Sequence, residues 1–406
     1  MPHPVSMDVN PTIFRRREAD LLTGQPLRGS ETVVDLGTVP VPGLFFPSDA
    51  AAAAAVAPVR LVKSTVSGLI QLDGDIIPEL YTFYKTGAVT KAHLDFVETL
   101  AEALANRFGR ESRVLEIGGN AGHLMRALRN RGFRYLHVID PSAENADTNQ
   151  WRVTRGLFPA GLAGSGMAFD AIVGQHFLEH SDDPVGVLRA ARQMLAPGGE
   201  IWVEVPDISE SALADGGMWL SVVYALHSSY FDRDTLALAA NVAGLAVREI
   251  QSVNHYGKSL LAVFELGEEP NSLLGRRACS EIAVVAAIRR YFEKLKYCGA
   301  ELPTGALCWG AAERCLTVLG GLMAGGFRPG QIIDSNPNLC GLYPSGMSSP
   351  VQSPRSMTGP FESVVMLSPL NAREIIATNG RLFSSGTKVY VPSVHEPFGK
   401  QQRIEM

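Results

Sequence analysis

The chain has no cysteine before Cys279, and its five cysteines (Cys279, Cys298, Cys308, Cys315, Cys340) all fall in the last third without a C-x-x-C pair. An odd number of scattered thiols argues against a disulfide scaffold and predicts reduced, mostly buried side chains. No uninterrupted apolar run approaches the roughly 20 residues that span a bilayer. Met1-Pro2-His3-Pro4 lacks the basic-then-apolar layout of a secretory signal. A cytoplasmic protein with no membrane partner is the expectation. Positive charge is also scarce: 36 Lys and Arg against 41 Asp and Glu give a net charge of −5, so no basic field for nucleic acid is present. Only 19% of residues are charged and 46% are hydrophobic, a composition that buries a core rather than staying disordered. At 406 residues two or three lobes are expected.

The dinucleotide spacing G-x-G-x-x-G is missing as well. What stands at residues 114–123 is Val-Leu-Glu-Ile-Gly-Gly-Asn-Ala-Gly-His, followed by the helical pattern of residues 124–128 and then Leu136-His137-Val138-Ile139-Asp140. This reads as strand, glycine bend, helix, and a second strand ending in a carboxylate, the opening half of a nucleotide-binding Rossmann unit. Glu116 beside the bend suits a cofactor with a cationic centre better than a pyrophosphate. S-adenosyl-L-methionine meets both conditions.

Three segments follow from the patterning: an N-terminal lobe over 1–90, a unit of alternating strands and helices over 91–266, and a C-terminal α/β unit over 267–406. The first alternates short strand-like pieces, such as 32–37 and 60–72, with turns. The second opens on a helix whose Leu94, Val97, Leu100 and Leu104 recur at helical spacing. It continues with a strand at 169–174, a helix at 184–195 stopped by Ala196-Pro197-Gly198-Gly199, a strand at 200–206, and an antiparallel edge pair at 245–251 and 259–265. Beyond a linker at 267–271, the third segment repeats the alternation, and its Gly305, Gly310 and Asp334 echo the first glycine loop. The fold class is therefore α/β, a Rossmann-like sheet flanked by a small N-terminal lobe and a second Rossmann-like C-terminal domain. Fold alone does not make that second unit a nucleotide site.

The stretches Phe-Asp-Ala-Ile-Val-Gly-Gln-His-Phe-Leu-Glu-His (169–180) and Leu-Ala-Pro-Gly-Gly-Glu-Ile-Trp-Val-Glu-Val-Pro (195–206), with residues 114–122 and Asp140, resemble class I S-adenosylmethionine-dependent methyltransferases. The resemblance implies a cofactor site of Glu116, Gly118, Asn120, Gly122, Asp140, Gln175 and His176. Asp140 would accept the ribose hydroxyls. The wider layout resembles a narrower group, the C-methyltransferases of nucleotide-linked keto-deoxysugars in antibiotic biosynthesis. The carrying residues are 35–40, 67–72, Tyr81-Thr82-Phe83-Tyr84, Tyr224 to Phe231 with His227, 255–258, 334–337 and 341–346. In that family the C-terminal lobe holds the sugar nucleotide, which would make Asp334 a substrate contact.

Two departures stand out. The family's N-terminal lobe carries four zinc-binding cysteines, whereas this chain has none there, so no thiolate site can form and no metal is expected. The family's catalytic Glu-His is Leu226-His227 here. His227 is the first candidate for general base, since imidazole accepts protons near neutrality. His180 and Tyr84 are further catalytic candidates, and Tyr81, Tyr224 and His255 are candidate substrate contacts. O- or N-methylation of another small molecule, and a non-catalytic cofactor-binding protein, are the alternatives. A dehydrogenase fits less well, because neither glycine loop has dinucleotide spacing and no Tyr-x-x-x-Lys pair follows the third strand. The sequence does not indicate an oligomeric state.

Overall fold

The computed structural model describes residues 13–85, 89–141, 150–213, 220–267 and 281–392. Cys279 and residues 268–271 of the expected linker lie outside the described residues.

The N-terminal part contains β1 (Phe14–Arg16), β2 (Glu31–Pro40), β3 (Phe45–Phe46), α1 (Asp49–Ala54), β4 (Val56–Lys63), β5 (Ile70–Leu72) and β6 (Gly74–Ile76). The piece read as continuous over 60–72 is two strands. Between them Ser64 Oγ accepts from the amides of Val66 and Ser67, and Gly68 takes φ +80°, turning the chain back on itself.

The central part runs α2 (Lys91–Arg107), β7 (Arg113–Ile117), α3 (His123–Asn130), β8 (Tyr135–Ile139), β9 (Arg152–Thr154), β10 (Phe169–Gln175) and α4 (Pro184–Gln193). It continues through β11 (Leu195–Pro206), α5 (Ile208–Leu213), β12 (Ser229–Tyr230), α6 (Arg233–Val242), β13 (Leu245–Val253) and β14 (Ser259–Leu266). Seven strands form one sheet in the order β13-β14-β11-β10-β7-β8-β9. β9, β8, β7, β10 and β11 are mutually parallel, and β14 pairs antiparallel with both β11 and β13. The mixed α/β, Rossmann-like architecture expected from the sequence is present. Continuous burial along β7, β8 and β10 follows from helices on both faces. Val97, Leu100 and Leu104 of α2 share one core with α3, while Val185 and Leu188 of α4 share another with α6. Helix starts are capped by Thr90, by Asp183 before Pro184, and by the Asp232–Thr235 capping box.

Residues 196–199 do not simply end a helix. α4 stops at Gln193, and the Ala-Pro-Gly-Gly run is the bulged start of β11, with Phe169 opposite Leu195 and then Ala171 opposite Glu200. At Gly199 a Cβ would lie 2.9–3.0 Å from three carbonyl oxygens, so glycine lets the bulge close.

The C-terminal part contains α7 (Glu281–Glu301), β15 (Leu307–Trp309), α8 (Glu313–Ala324), β16 (Ile332–Ile333), β17 (Tyr343–Pro344), β18 (Ser363–Met366), α9 (Ala372–Thr378) and β19 (Lys388–Tyr390). Its parallel sheet has the order β16-β15-β18-β19. The strand read over 332–337 is only two residues long. Asp334 ends it by accepting from the amides of Ala311 and Asn336.

The three stretches interlock. β12 completes the N-terminal sheet β12-β5-β4-β2, and β17 pairs with β3. Val33, Val39 and Phe46 share one apolar core with Ile288, Phe292 and Leu319. Arg289 donates to the Val33 and Thr32 carbonyls at 3.1 and 2.7 Å, and Lys296 to the Asp35 carbonyl at 2.6 Å. α7 and α8 approach closely at Gly299, where a Cβ would sit 2.0 Å from the Leu322 carbonyl oxygen. Gly299→Ala forces these helices apart and should destabilise the protein by roughly 1–3 kcal/mol, read as a lower urea midpoint at unchanged slope.

Candidate active site

The glycine loop between β7 and α3 lies beside two buried carboxyl groups, Glu116 and Asp140. Gly118 and Gly122 adopt φ +74° and +68°, and Asn120 is left-handed at φ +40°, a conformation uncommon outside glycine. A Cβ at Gly122 would meet Trp151 at 2.6 Å. Asp140, buried at the tip of β8, accepts from the Asn120 amide at 2.8 Å, which pins the loop to the neighbouring strand. Glu116 is buried, and its Oε2 has no hydrogen-bond partner. Burial first, and the Asp140 carboxylate second, push the Glu116 carboxyl up to about 8. A buried carboxyl oxygen without a hydrogen-bond partner is one that a cationic ligand can satisfy.

This cost has a pH signature. Between the ordinary Glu value of 4.5 and about 8, the unfolded chain has released the Glu116 proton and the folded, cofactor-free protein has not. This group therefore makes stability fall as pH rises through that window. Glu116→Gln should remove the slope, stabilise the cofactor-free protein at pH 8 by roughly 1–3 kcal/mol relative to pH 5, and weaken cofactor binding. Urea titrations at the two pH values, with calorimetry, measure both effects.

A chain of imidazoles and carboxylates lies beyond the loop. His176, at φ +47° just after β10, places Nδ1 3.2 Å from Glu179 Oε1. Its Nε2 lies 3.2 Å from Glu204 Oε1 without hydrogen-bond alignment. Burial works against charge on His176, but Glu204 and Glu179 outweigh it and lift the imidazole to about 10. Glu204, wholly buried in β11, accepts from Gln175 Nε2 at 3.0 Å and from His255 Nδ1 at 2.6 Å. The net effect on Glu204 is a lowered pKa: burial opposes ionisation, and His176 and His255 overcome it. His255 Nε2 meets His93 Nδ1 at 3.0 Å, and Phe96 stacks on the His255 ring at 4.0 Å. Burial and the neighbouring imidazoles of His255 and His123 depress His93 to about 4.

The structure brings Tyr81, His180, Tyr224 and His227 together in a second cluster. His180 Nδ1 donates to the Leu226 carbonyl at 2.9 Å, which fixes the ring's orientation. The Tyr81 hydroxyl reaches the same carbonyl at 3.4 Å. The His227 ring packs edge-on to His180 at 4.7 Å and against Tyr224 at 4.3 Å. Its Nδ1 is buried without a partner, while the ring is engaged with the Val222 backbone. Burial, then the neighbouring His180 and His176, hold His227 well below the ordinary imidazole range, so it is neutral. Tyr84 and Tyr224 both donate to Glu313, the former at 3.1 Å. Burial and then Glu313 raise both phenols far above their usual value, so both stay protonated.

Asp334, in contrast, serves its own loop. Its bond to the Ala311 amide at 2.7 Å repeats the Asp140–Asn120 contact, and the structure does not join it to either cluster. Sequence reasoning singled out neither Glu204, Glu179, His93 nor Glu313 as site residues. A readable signal existed for Glu204, an acid inside the apolar run Ile201–Pro206 of a central strand. Nothing local marks Glu313, which meets Tyr84 across 229 positions of chain.

Residues 90–250 match a family model described as a methyltransferase domain. They form a class I S-adenosyl-L-methionine-dependent methyltransferase domain. Its cofactor is S-adenosyl-L-methionine. The residues at the glycine loop fit that group, since Glu116 offers an unpartnered buried oxygen and Gly118 and Gly122 open the backbone. Solved methyltransferases that are similar include mitomycin 7-O-methyltransferase, at 18% identity and TM-score 0.37, covering 46% of this chain and 56% of that one. The CcbJ methyltransferase of Streptomyces caelestis is 17% identical, with TM-score 0.33 over 42% of this chain and 89% of that one. Magnesium protoporphyrin IX methyltransferase of Synechocystis, solved with bound SAH, is 13% identical, with TM-score 0.36 over 45% and 91%. The chain spans about half the length of the mitomycin enzyme. Among curated proteins no sequence matches. Among the described residues no helix is long and apolar enough to cross a membrane.

Proposed function

We propose that the chain methylates a small molecule at a centre that must first lose a proton, with His227 as the general base. The observation that carries this reading is the His227 imidazole itself, neutral, buried, and presenting an unpartnered Nδ1. Bound S-adenosyl-L-methionine supplies an electrophilic methyl group on a sulfonium. Gly118, Gly122 and Asp140 would hold the cofactor, and Glu116 would offer a carboxylate to its positive charge. His227 Nδ1 would take the acceptor's proton, and the electron pair left on the acceptor would form the bond to the methyl carbon as the carbon–sulfur bond breaks, its electrons going to sulfur and S-adenosylhomocysteine leaving. His180 Nε2 and the Tyr81 hydroxyl, in the same cluster as His227, would orient the acceptor. Glu179, whose Oε2 is buried and unpartnered, lies with His180 and His227 such that one ligating atom of each falls within 4.8 Å of the others. It offers the carboxylate that Leu226 does not, and it favours the imidazolium as it forms.

The acceptor class proposed is a nucleotide-linked keto-deoxysugar, methylated at the carbon beside the keto group. Support comes from the motifs at 224–231 and 341–346 and from Glu313, which brings the C-terminal segment to the tyrosines beside His227. Incubation with methyl-labelled cofactor and a panel of keto-sugar nucleotides, phenols and amines, read by mass spectrometry, tests it. A carbon-bound label on a keto sugar is the expected result. Label on a phenolic oxygen or an amine alone would establish O- or N-methylation instead.

A further inference from the structure

We propose that His176, Glu204 and His255 form a binding site for one divalent transition-metal ion. The three come from separate elements: His176 follows β10, Glu204 lies in β11, and His255 sits in the turn between β13 and β14. One ligating atom of each lies within 4.8 Å of the others. Their facing atoms converge more closely still, with Glu204 Oε1 3.2 Å from His176 Nε2 and 2.6 Å from His255 Nδ1. Ligands about 2.0–2.2 Å from a tetrahedral ion stand roughly 3.3 Å apart, so small side-chain shifts admit one.

Two further observations point to a ligand. His176 Nε2 is buried, faces Glu204, and has no hydrogen-bond partner. In addition, every candidate ligand is held from behind through the atom that faces away. His176 Nδ1 meets Glu179, His255 Nε2 meets His93 Nδ1, and Glu204 Oε2 accepts from Gln175. Metal-binding histidines are oriented in this way, by a hydrogen bond on the nitrogen not bound to metal. On binding, His255 carries its proton on Nε2, donated to His93, and frees Nδ1 for the ion.

The donor set selects the ion class. Two imidazoles and one carboxylate suit Zn²⁺, Co²⁺, Ni²⁺ or Fe²⁺, whereas Mg²⁺ and Ca²⁺ favour all-oxygen sites. Three protein ligands leave a fourth position for water or another oxygen donor. The ion would tie the β13–β14 turn to the ends of β10 and β11.

Untagged full-length protein, stripped with a chelator and titrated with Co²⁺ alone, should take up one equivalent, read by visible absorption and calorimetry. Glu204→Gln and His255→Gln should each weaken uptake more than ~10-fold, and Glu179→Gln about 10–100-fold. His227→Ala should retain it. Circular dichroism and cofactor binding establish that the variants fold. The proposal is overturned if the unaltered protein binds no more Co²⁺ than Glu204→Gln does. It is equally overturned if uptake is lost in His227→Ala and kept in His255→Gln, which would place the ion at Glu179, His180 and His227, the other grouping with ligand spacing.

Discussion

His227→Ala should lower kcat about 10²–10⁴-fold, the range a positioned general base contributes, while leaving the affinity for S-adenosyl-L-methionine unchanged. The separation follows from position. His227 belongs to the cluster with His180, Tyr224 and Tyr230, and Glu116 and Asp140 belong to the glycine loop. Alanine removes an imidazole whose Nδ1 has no partner, so the only hydrogen-bonding contact given up is the one with the Val222 backbone. Single-turnover kinetics with preloaded cofactor, beside calorimetry, measure the two quantities. Unchanged turnover would remove His227 from the chemistry. Because burial keeps His227 neutral well below the ordinary imidazole range, the wild-type rate should not fall with acidification between pH 8 and pH 6.5 through this group.

Asp140→Ala should raise the cofactor's Kd by about 10–100-fold, the scale of one charge-assisted hydrogen bond at roughly 1.5–3 kcal/mol. Two losses combine. The carboxylate is taken from the tip of β8, and the Asn120 amide loses the acceptor that holds the loop in its left-handed turn. Asp140→Asn separates them, since it keeps an acceptor for Asn120 but not the charge. If calorimetry gives the wild-type Kd for Asp140→Ala, Asp140 is not a cofactor contact.

The parts of this site that were legible in the sequence are those whose geometry is local. A glycine loop, the strand before it and the carboxylate ending the next strand fall within residues 114–140, and turn chemistry fixes their relations. The helices and strands of the central sheet follow from periodicity for the same reason. His176 shows the limit. Its place after β10 was readable, but its neighbours Glu204 and His255 arrive from a parallel strand and an antiparallel turn, and only sheet order makes them meet. His93 is further still, 162 positions from His255 and on the first turn of a helix whose buried face lies elsewhere. The bulge at 195–199 was misread because Ala-Pro-Gly-Gly carries the same local chemistry as a helix stop, and pairing with Phe169 decided between them.

The interlocking of the chain's two outer stretches sets a timetable for its synthesis. Val33 emerges from the ribosome 256 residues before Arg289, which binds its carbonyl. At about 5–20 residues per second the N-terminal sheet waits roughly 10–50 s for the helices that cover it. During that interval Val33, Val39 and Phe46 have no α7 or α8 to bury them. The central sheet closes on strands from one contiguous stretch and is under no such delay. The enzyme's middle can thus be native while its beginning is still a client for chaperones. A nascent chain arrested near residue 267 should be cut by protease first in its N-terminal 80 residues.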